Sequence, residues 1–506
     1  MATEIELKFR IPPGRLAALR RAVATTTAQV QPLAAAYFDT PGEHLAAARM
    51  ALRLRREGDA WVQTLKAEGA GPLQRLEHNA PVVAPTGDTD RPALDIARHD
   101  GTAAGAALRR LLADAGQPVL QQRYATTVQR TRRLLRSGGA LIELALDEGT
   151  VQAGPRSLAL CEIEFELLAG TPQALLALAG RWAGRHGLLL DVRSKSELGH
   201  TLAAGLPGSP PTTGRPMRLA RQADIDVARS AMLSQALRQV LANASQMAAG
   251  PSEPGHLHQL RVGLRRLRGV LGVCWPADAA GPVADAQQAA AALYRQLGAA
   301  RDADAMGAWL WHALQAAGAP PLQAGPPPPP SPSADRADPP DPADLLRAPA
   351  VQQLWLALIG LGLPPAPAPP AAASAVPQPA AAALAGPLGK LWRQVRRDAR
   401  RVDQLDDAAR HRLRRRIKRL RDLSELSAGL WPAKAMAPWL RRLKQVQQHL
   451  GEVNDTVVAL AHCRGLAAHD PAAWLAVGWL SARHAALLPG CAAVLQRLAR
   501  GQPPWA

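Results

Sequence analysis

Phenylalanine and tyrosine are nearly missing from this chain, with three of each in 506 residues against twelve tryptophans. Proteins that hold single-stranded nucleic acid stack bases on exposed rings. The C-terminal 306 residues offer Tyr294 alone besides tryptophans such as Trp275, Trp309, Trp311, Trp355, Trp392 and Trp431, and these sit in apolar settings that read as core. Cysteine is equally sparse. Cys161, Cys274, Cys463 and Cys491 form no CxxC pair, which argues against a zinc site or a disulfide scaffold and fits a reducing compartment. Long apolar runs are absent too. The best stretch, Leu475–Leu488, contains Arg483 and His484, so no membrane span is expected. The first residues read as strand at once, so no signal peptide is expected and a cytoplasmic location follows.

Acidic residues are in deficit. The chain carries 60 Lys and Arg against 41 Asp and Glu, a formal charge of +19. Residues 1–200 hold 25 basic and 21 acidic side chains, a net of +4, and the remainder 35 and 20, a net of +15. The basic excess therefore belongs to the C-terminal part, whose expected partner is a polyanion: nucleic acid, polyphosphate or an acidic membrane surface.

What is present begins with residues 4–10, Glu-Ile-Glu-Leu-Lys-Phe-Arg. In a strand, alternate residues share a face. Glu4, Glu6, Lys8 and Arg10 thus lie on one side, Ile5, Leu7 and Phe9 on the other. The alternation recurs at 51–55, 63–66, 142–147 and 161–166. Several strands with one apolar and one charged face suggest a sheet closed on itself, apolar side outward against helices and charges inside. An interior of both signs calls for a charged ligand. Helices are expected near Pro13–Val23, Gly105–Ala115 and Pro172–Gly187, with a strand at Arg123–Arg136.

Residues 204–218 are rich in Pro and Gly and read as a linker. From 219 to 506 the chain is Ala/Leu/Arg-rich and helical in pattern, interrupted by Pro-rich insertions near 319–342 and 364–379. This part repeats itself. His258, Arg261, Arg265 and Arg268 share their spacing with His411, Arg414, Lys418 and Arg421. Leu297-Gly298 with Arg301-Asp302 likewise corresponds to Leu450-Gly451 with Asn454-Asp455, each aspartate standing 44 positions after its histidine. Two similar helical bundles in tandem are expected, each with a basic stripe along one helix face. Asp302 and Asp455 are expected to pair with stripe arginines.

Gripping a phosphate chain needs Arg and Lys. Cleaving it generally needs a divalent metal held by carboxylates. The N-terminal part supplies both sets, although spacing alone fits a structural ion-pair network equally well. Here residues 1–203 resemble the CYTH family, the triphosphate tunnel metalloenzymes. The resemblance is carried, in order, by Glu4-Ile5-Glu6-Leu7-Lys8, Tyr37-Phe38-Asp39-Thr40, Leu52-Arg53-Leu54-Arg55, Thr64-Leu65-Lys66, Arg130 with Arg132, Glu143 with Asp147, Glu162 with Glu164, and Ser194-Lys195. It implies an α+β domain built as an eight-stranded antiparallel β tunnel with flanking helices. It implies that Lys8, Arg53, Arg55, Lys66, Arg130 and Lys195 grip the triphosphate, with Arg75, Glu77 and Arg132 as further lining. Glu4, Glu6, Glu143, Asp147, Glu162 and Glu164 would hold Mg²⁺ or Mn²⁺. Lys8 and Lys66 stand beside a metal-bound hydroxide as candidates for the general base. Arg123 offers a competing register for Arg130, and the residues after Lys195, Ser-Glu-Leu-Gly-His, depart from the family pattern.

Residues 219–506 resemble the CHAD domain, an all-α module associated with inorganic polyphosphate. That implies polyphosphate binding by His258, Arg261, Arg265, Arg268, His411, Arg414, Lys418 and Arg421, and a location extending to polyphosphate granules. The combination resembles bacterial inorganic triphosphatases. The expected activity is hydrolysis of inorganic triphosphate to pyrophosphate and phosphate. The alternatives are an organic triphosphate such as thiamine triphosphate, or a scaffold or sensor whose tunnel is inactive. Nucleic acid ranks below polyphosphate as partner, and oligomeric state is not legible.

Overall fold

A computed structural model describes residues 3–68, 74–83, 91–217, 219–275, 281–299, 310, 312, 314–316, 341–363, 378–467 and 470–506. They form two compact units. One comprises Met1–Thr213, Leu237–Leu260 and Pro342–Ala366, the other Gly214–Ala236, Arg261–Asp341 and Pro367–Ala506.

The first unit is built on strands β1 (Thr3–Arg10), β2 (Gln29–Asp39), β3 (Ala51–Glu57), β4 (Ala60–Glu68), β5 (Gln74–Val82), β6 (Gln121–Ser137), β7 (Ala140–Ala153), β8 (Arg156–Ala169) and β9 (Leu189–Leu190). Their order is β5-β4-β3-β2-β6-β7-β8-β1-β9, and β1 also pairs with β5. The first eight strands thus close into a ring, with every pairing antiparallel. The two-residue β9, added outside β1, is the one strand beyond the eight expected. Closure abolishes the exposed edges of an open sheet. Between β6 and β7 the chain reverses over Gly138 and Gly139, at φ 56° and 74°. This primed turn matches the twist of the flanking strands, and only glycine adopts it at little cost.

Alternation places the side chains as expected. Leu7 and Phe9 are buried on the outer face. Phe9 meets Phe165 edge-on at 5.7 Å, and Phe165 meets Trp182 of helix α4 (Pro172–His186) at 5.9 Å. Before α4 come α1 (Leu16–Val23), α2 (His44–Ala47) and α3 (Ala103–Asp114). Helix α4 carries its own start and stop signals: the Thr171 hydroxyl accepts from the Ala174 N–H, Pro172 opens the first turn, and Gly187 ends it at φ 62°. Helix α5 (Lys195–Ala203) begins at Ser194, whose Oγ accepts from the Glu197 N–H at 3.0 Å. Helix α6 (Ile225–Ala249) gives this unit its residues from Leu237 onward. Helix α7 (Pro254–Cys274) contributes residues up to Leu260, and α9 (Pro342–Arg347) and α10 (Pro349–Gly362) complete the unit.

The second unit is helical. Besides the rest of α6 and α7 it contains α8 (Pro282–Ala299), α11 (Ala380–Arg400), α12 (Asp407–Leu426), α13 (Ala433–Leu466) and α14 (Ala473–Arg500). Its core includes Trp392 and Trp439, crossing at 5.0 Å and 83°, with Trp505 edge-on to Trp439 at 5.5 Å. On α12, Leu413, Ile417 and Leu420 are fully buried, which leaves the basic residues of that helix on its opposite face. Of the Pro-rich insertions, only residues 341–342 and 378–379 are described. Trp309, Trp311, Arg301 and Asp302 lie outside the described residues.

Candidate active site

The ring encloses a cavity of about 740 Å³. Into it β1 points Glu4, Glu6 and Lys8, β3 Arg53 and Arg55, β4 Lys66, β6 Arg130 and Arg132, and β7 Glu143 and Asp147. Glu164 of β8 and Lys195 of α5 also line it, as does Glu77 of β5. Arg123 does not: it pairs with Glu43 at 3.1 Å, so Arg130 holds the interior register. The side chain of Arg75 is outside the described residues.

Three carboxylates converge on one side. Asp147, Glu162 and Glu164 each offer an oxygen, all within 4.8 Å of one another. Asp147 is fully buried, and Glu162 nearly so. Cations crowd around them. Arg130 makes a two-pronged contact with Asp147, 2.7 Å on each prong, and reaches Glu164 at 2.5 Å. The Lys195 ammonium touches Asp147 at 2.8 Å and Glu164 at 2.7 Å, and also Glu162. Lys8 pairs with Glu162 at 3.2 Å and donates to the Arg193 carbonyl. Burial works against the Lys195 charge, yet Glu162, Glu164 and Asp147 outweigh it and hold the ammonium well above the ordinary lysine range. Burial pushes Glu162 up against the pull of Lys195 and Lys8.

The donor set fits a hard divalent cation. Three carboxylate oxygens at this spacing match what Mg²⁺ and Mn²⁺ select. The Lys195 ammonium among them shows that the pocket stabilises positive charge there.

Across the cavity Lys66 sits between Glu4 (2.8 Å) and Glu77 (2.9 Å). Burial raises Glu4 to about 8, with Glu6 and Glu77 adding to the rise and Lys66 opposing it. Lys66 itself is raised, because Glu4, Glu6 and Glu77 outweigh its burial. Arg53 reaches the Tyr37 hydroxyl at 3.3 Å, and Arg55 pairs with Glu57. Arg132 stands 3.6 Å from Glu143. The N-terminal candidates with described side chains therefore line one interior, except Glu162, which is buried behind Lys8 and Lys195, and among the described residues Asp147, Glu162 and Glu164 form a close carboxylate cluster. Glu4, Glu6 and Glu143 line the same cavity outside that cluster.

Sequence reasoning passed over Glu166 and Tyr37, both in the lining. Glu166 had a signal, since Glu162, Glu164 and Glu166 continue one period-two series. It also passed over the buried pair Asp191–Arg193, 2.6 Å apart, which fixes the backbone carbonyl that Lys8 bonds.

In the helical part, α7 carries His258, Arg261, Arg265 and Arg268, and α12 carries His411, Arg414, Lys418 and Arg421. Within the second unit the stripes are braced by acids and rings. Arg265 bonds Asp422 at 2.7 Å, and Arg421 bonds Glu425 at 2.8 Å. Arg414 lies 3.7 Å from Asp455, as expected for that aspartate. Arg261 and Arg268 each lie 5.1 Å from the Tyr294 ring. His411 shares a 2.5 Å hydrogen bond with the Asn454 side-chain oxygen. Burial, then Arg414 and Arg265, lower Lys418 to about 8. No helix among the described residues is long and apolar enough to cross a membrane.

Comparison with known proteins finds two families along the chain. Residues 2–197 match the CYTH domain family and residues 231–464 the CHAD domain family. An inorganic triphosphatase from Haemophilus influenzae is 30% identical over 212 residues, 40% of this chain and 56% of that protein, so the match spans little more than half of the relative. Among solved structures, the CHAD domain from the plant Ricinus communis is 28% identical, with 59% of this chain and 99% of that one covered, at a TM-score of 0.44. A putative adenylyl cyclase from Hippeastrum, described as having a dominant triphosphatase activity, is 18% identical, with 40% and 96% covered, at a TM-score of 0.27.

Proposed function

We propose that this chain, which joins a CYTH domain (residues 2–197) to a CHAD domain (residues 231–464), hydrolyses inorganic triphosphate to pyrophosphate and phosphate with a divalent cation. The observation that carries the reading is the close cluster of Asp147, Glu162 and Glu164, of which Asp147 and Glu164 line a cavity together with Lys8, Arg53, Arg55, Lys66, Arg130 and Lys195. A pure anion-binding pocket gains nothing from buried carboxylates, which repel the ligand. A hydrolase needs them to hold its cation.

When bound, Mg²⁺ or Mn²⁺ would neutralise phosphate charge and make water a better nucleophile. Asp147, Glu162 and Glu164 would hold it, with Glu4, Glu6 and Glu143 as further ligands. Arg53, Arg55, Arg130 and Arg132 grip phosphate oxygens with rigid forks, and Lys8, Lys66 and Lys195 act as point charges. Water adds to the terminal phosphorus, the bridging P–O bond breaks, and pyrophosphate leaves with the electron pair. Lys66, held between two carboxylates, and Lys8, which donates to a carbonyl, serve better as charge partners of the phosphates than as proton acceptors.

The CHAD domain binds inorganic polyphosphate on this reading. Its support is the pair of basic stripes in a part carrying +15, in which Tyr294 is the one Phe or Tyr. A cytoplasmic enzyme at polyphosphate granules is the matching location.

Phosphate release from tripolyphosphate, thiamine triphosphate, ATP and long-chain polyphosphate, compared side by side with Mg²⁺ and with Mn²⁺, tests the substrate. Preference for tripolyphosphate supports the reading. Preference for thiamine triphosphate moves the substrate to the organic class, and no turnover with polyphosphate still bound makes the chain a scaffold.

A further inference from the structure

The wall of the cavity does not end with the tunnel fold. Beyond the strands and α5, it includes Leu206, Pro210 and Thr212, and then Arg238, Leu241 and Ala242 of α6. All six lie past residue 197, where the match to the CYTH family stops.

Their placement is a matter of helix geometry. Positions 238, 241, 242 and 245 are i, i+3, i+4 and i+7, one face of a helix. Ser245, at the end of that series, is tied to the barrel: its Oγ accepts from the Val192 N–H at 3.2 Å and donates to the Leu190 carbonyl at 3.3 Å. One residue on, the Gln246 side-chain oxygen accepts from Arg193 at 2.9 Å and from the Ser209 N–H at 3.1 Å. The side chain of Asn243 bonds Thr212 twice, through its N–H at 3.1 Å and its carbonyl at 2.9 Å. This half of α6 is therefore fixed to the segment that leads into Lys195, and the same face carries Arg238 to the cavity.

We infer that Arg238 is a specificity-determining residue for anion length: it extends the cationic wall past the place of a third phosphate and contacts the fourth phosphate of a longer chain. The inference rests on the tunnel being the phosphate site. The charge count favours this role. Lys8, Arg130 and Lys195 already crowd the carboxylate cluster, and Arg53, Arg55 and Lys66 line the same cavity, a set that suffices for a triphosphate. Of the six lining residues past α5, Leu206, Pro210, Leu241 and Ala242 are apolar and Thr212 is neutral, so Arg238 is the cation that this segment adds to the lining.

The test is calorimetric titration of the full chain with tripolyphosphate and with tetrapolyphosphate, without divalent metal so that turnover does not intrude. Arg238→Ala is expected to weaken tetrapolyphosphate about tenfold, the scale of one charge-assisted hydrogen bond, while changing tripolyphosphate less than about twofold. Arg238→Lys recovers most of the loss. Ala242→Glu, one turn along the same face, produces the same selective loss and serves if Arg238→Ala folds poorly. Equal losses for both anions, or none for either, overturn the inference. Absence of hydrolysis in metal-containing buffer, with both anions still bound, counts against the triphosphatase reading and leaves this one standing.

Discussion

Lys195 shows what a single residue can decide here. Its ammonium is the shared partner of three buried carboxylates. Removing one partner of a buried ion cluster leaves uncompensated charge and costs about 3–5 kcal/mol. Lys195→Met is therefore expected to lower the melting temperature of the metal-free protein markedly. Mg²⁺ or Mn²⁺ should then raise it more in the variant than in the parent, because the vacated carboxylates bind the ion without competition from the ammonium. Thermal unfolding with and without metal reads this directly, and equal metal shifts in both proteins would contradict it. The candidate carboxylates were legible because a strand repeats every two residues, so Glu162 and Glu164 had to share a face with each other. That Lys195 would sit among them was not legible. Its position depends on α5 crossing the barrel, a long-range packing that no local pattern encodes.

At the scale of an element, α5 is the piece that positions the site. Its start is written in the sequence, since Ser194 and Glu197 form a capping pattern. Its seat is not. Gly199 lies against Tyr124, and a Cβ there would stand 2.1 Å from the ring. Tyr124 cannot retreat, being stacked on Tyr37 at 4.8 Å and bonded through its hydroxyl to Ser196 at 2.7 Å. Gly199→Ala is expected to destabilise the fold by about 1–3 kcal/mol and to lower kcat/KM by shifting Lys195. Denaturant unfolding with parallel kinetics would show it, and an unchanged midpoint would mean that the helix tolerates the methyl group. The strands themselves were easier to read. Alternating charge marked β1, β3, β4, β7 and β8, and the ring closure followed from having several such strands. The brief β9 had no signal, for two residues carry no period.

At the scale of the whole chain, charge is unevenly spread, and the helical part carries most of the excess. That asymmetry and the repeated histidine-to-arginine spacing are legible in the sequence alone. Which helices pack into which unit was not, because an amphipathic pattern gives a helix a buried face but does not name the neighbour that buries it. Lys418 provides a pH test of the proposed polyphosphate surface. Burial lowers it to about 8, so in the free protein it is charged below that pH and neutral above it. A polyanion binds the charged form, so binding is strongest below pH 8 and weakens as pH rises. If the bound lysine stays charged, affinity falls about tenfold between pH 7 and 9 by linkage. Lys418→Met should flatten that dependence. A parent profile already flat would remove Lys418 from the binding surface.

The buried carboxylates are proposed to serve a metal-dependent hydrolysis. Phosphate release from tripolyphosphate should be followed after chelation and after stepwise return of Mg²⁺, in the parent and in Glu162→Gln. No release is expected after chelation, with full recovery with Mg²⁺ in the parent and a loss of at least about a hundredfold in the variant at any Mg²⁺ concentration. Undiminished hydrolysis after chelation, or by Glu162→Gln, would contradict it.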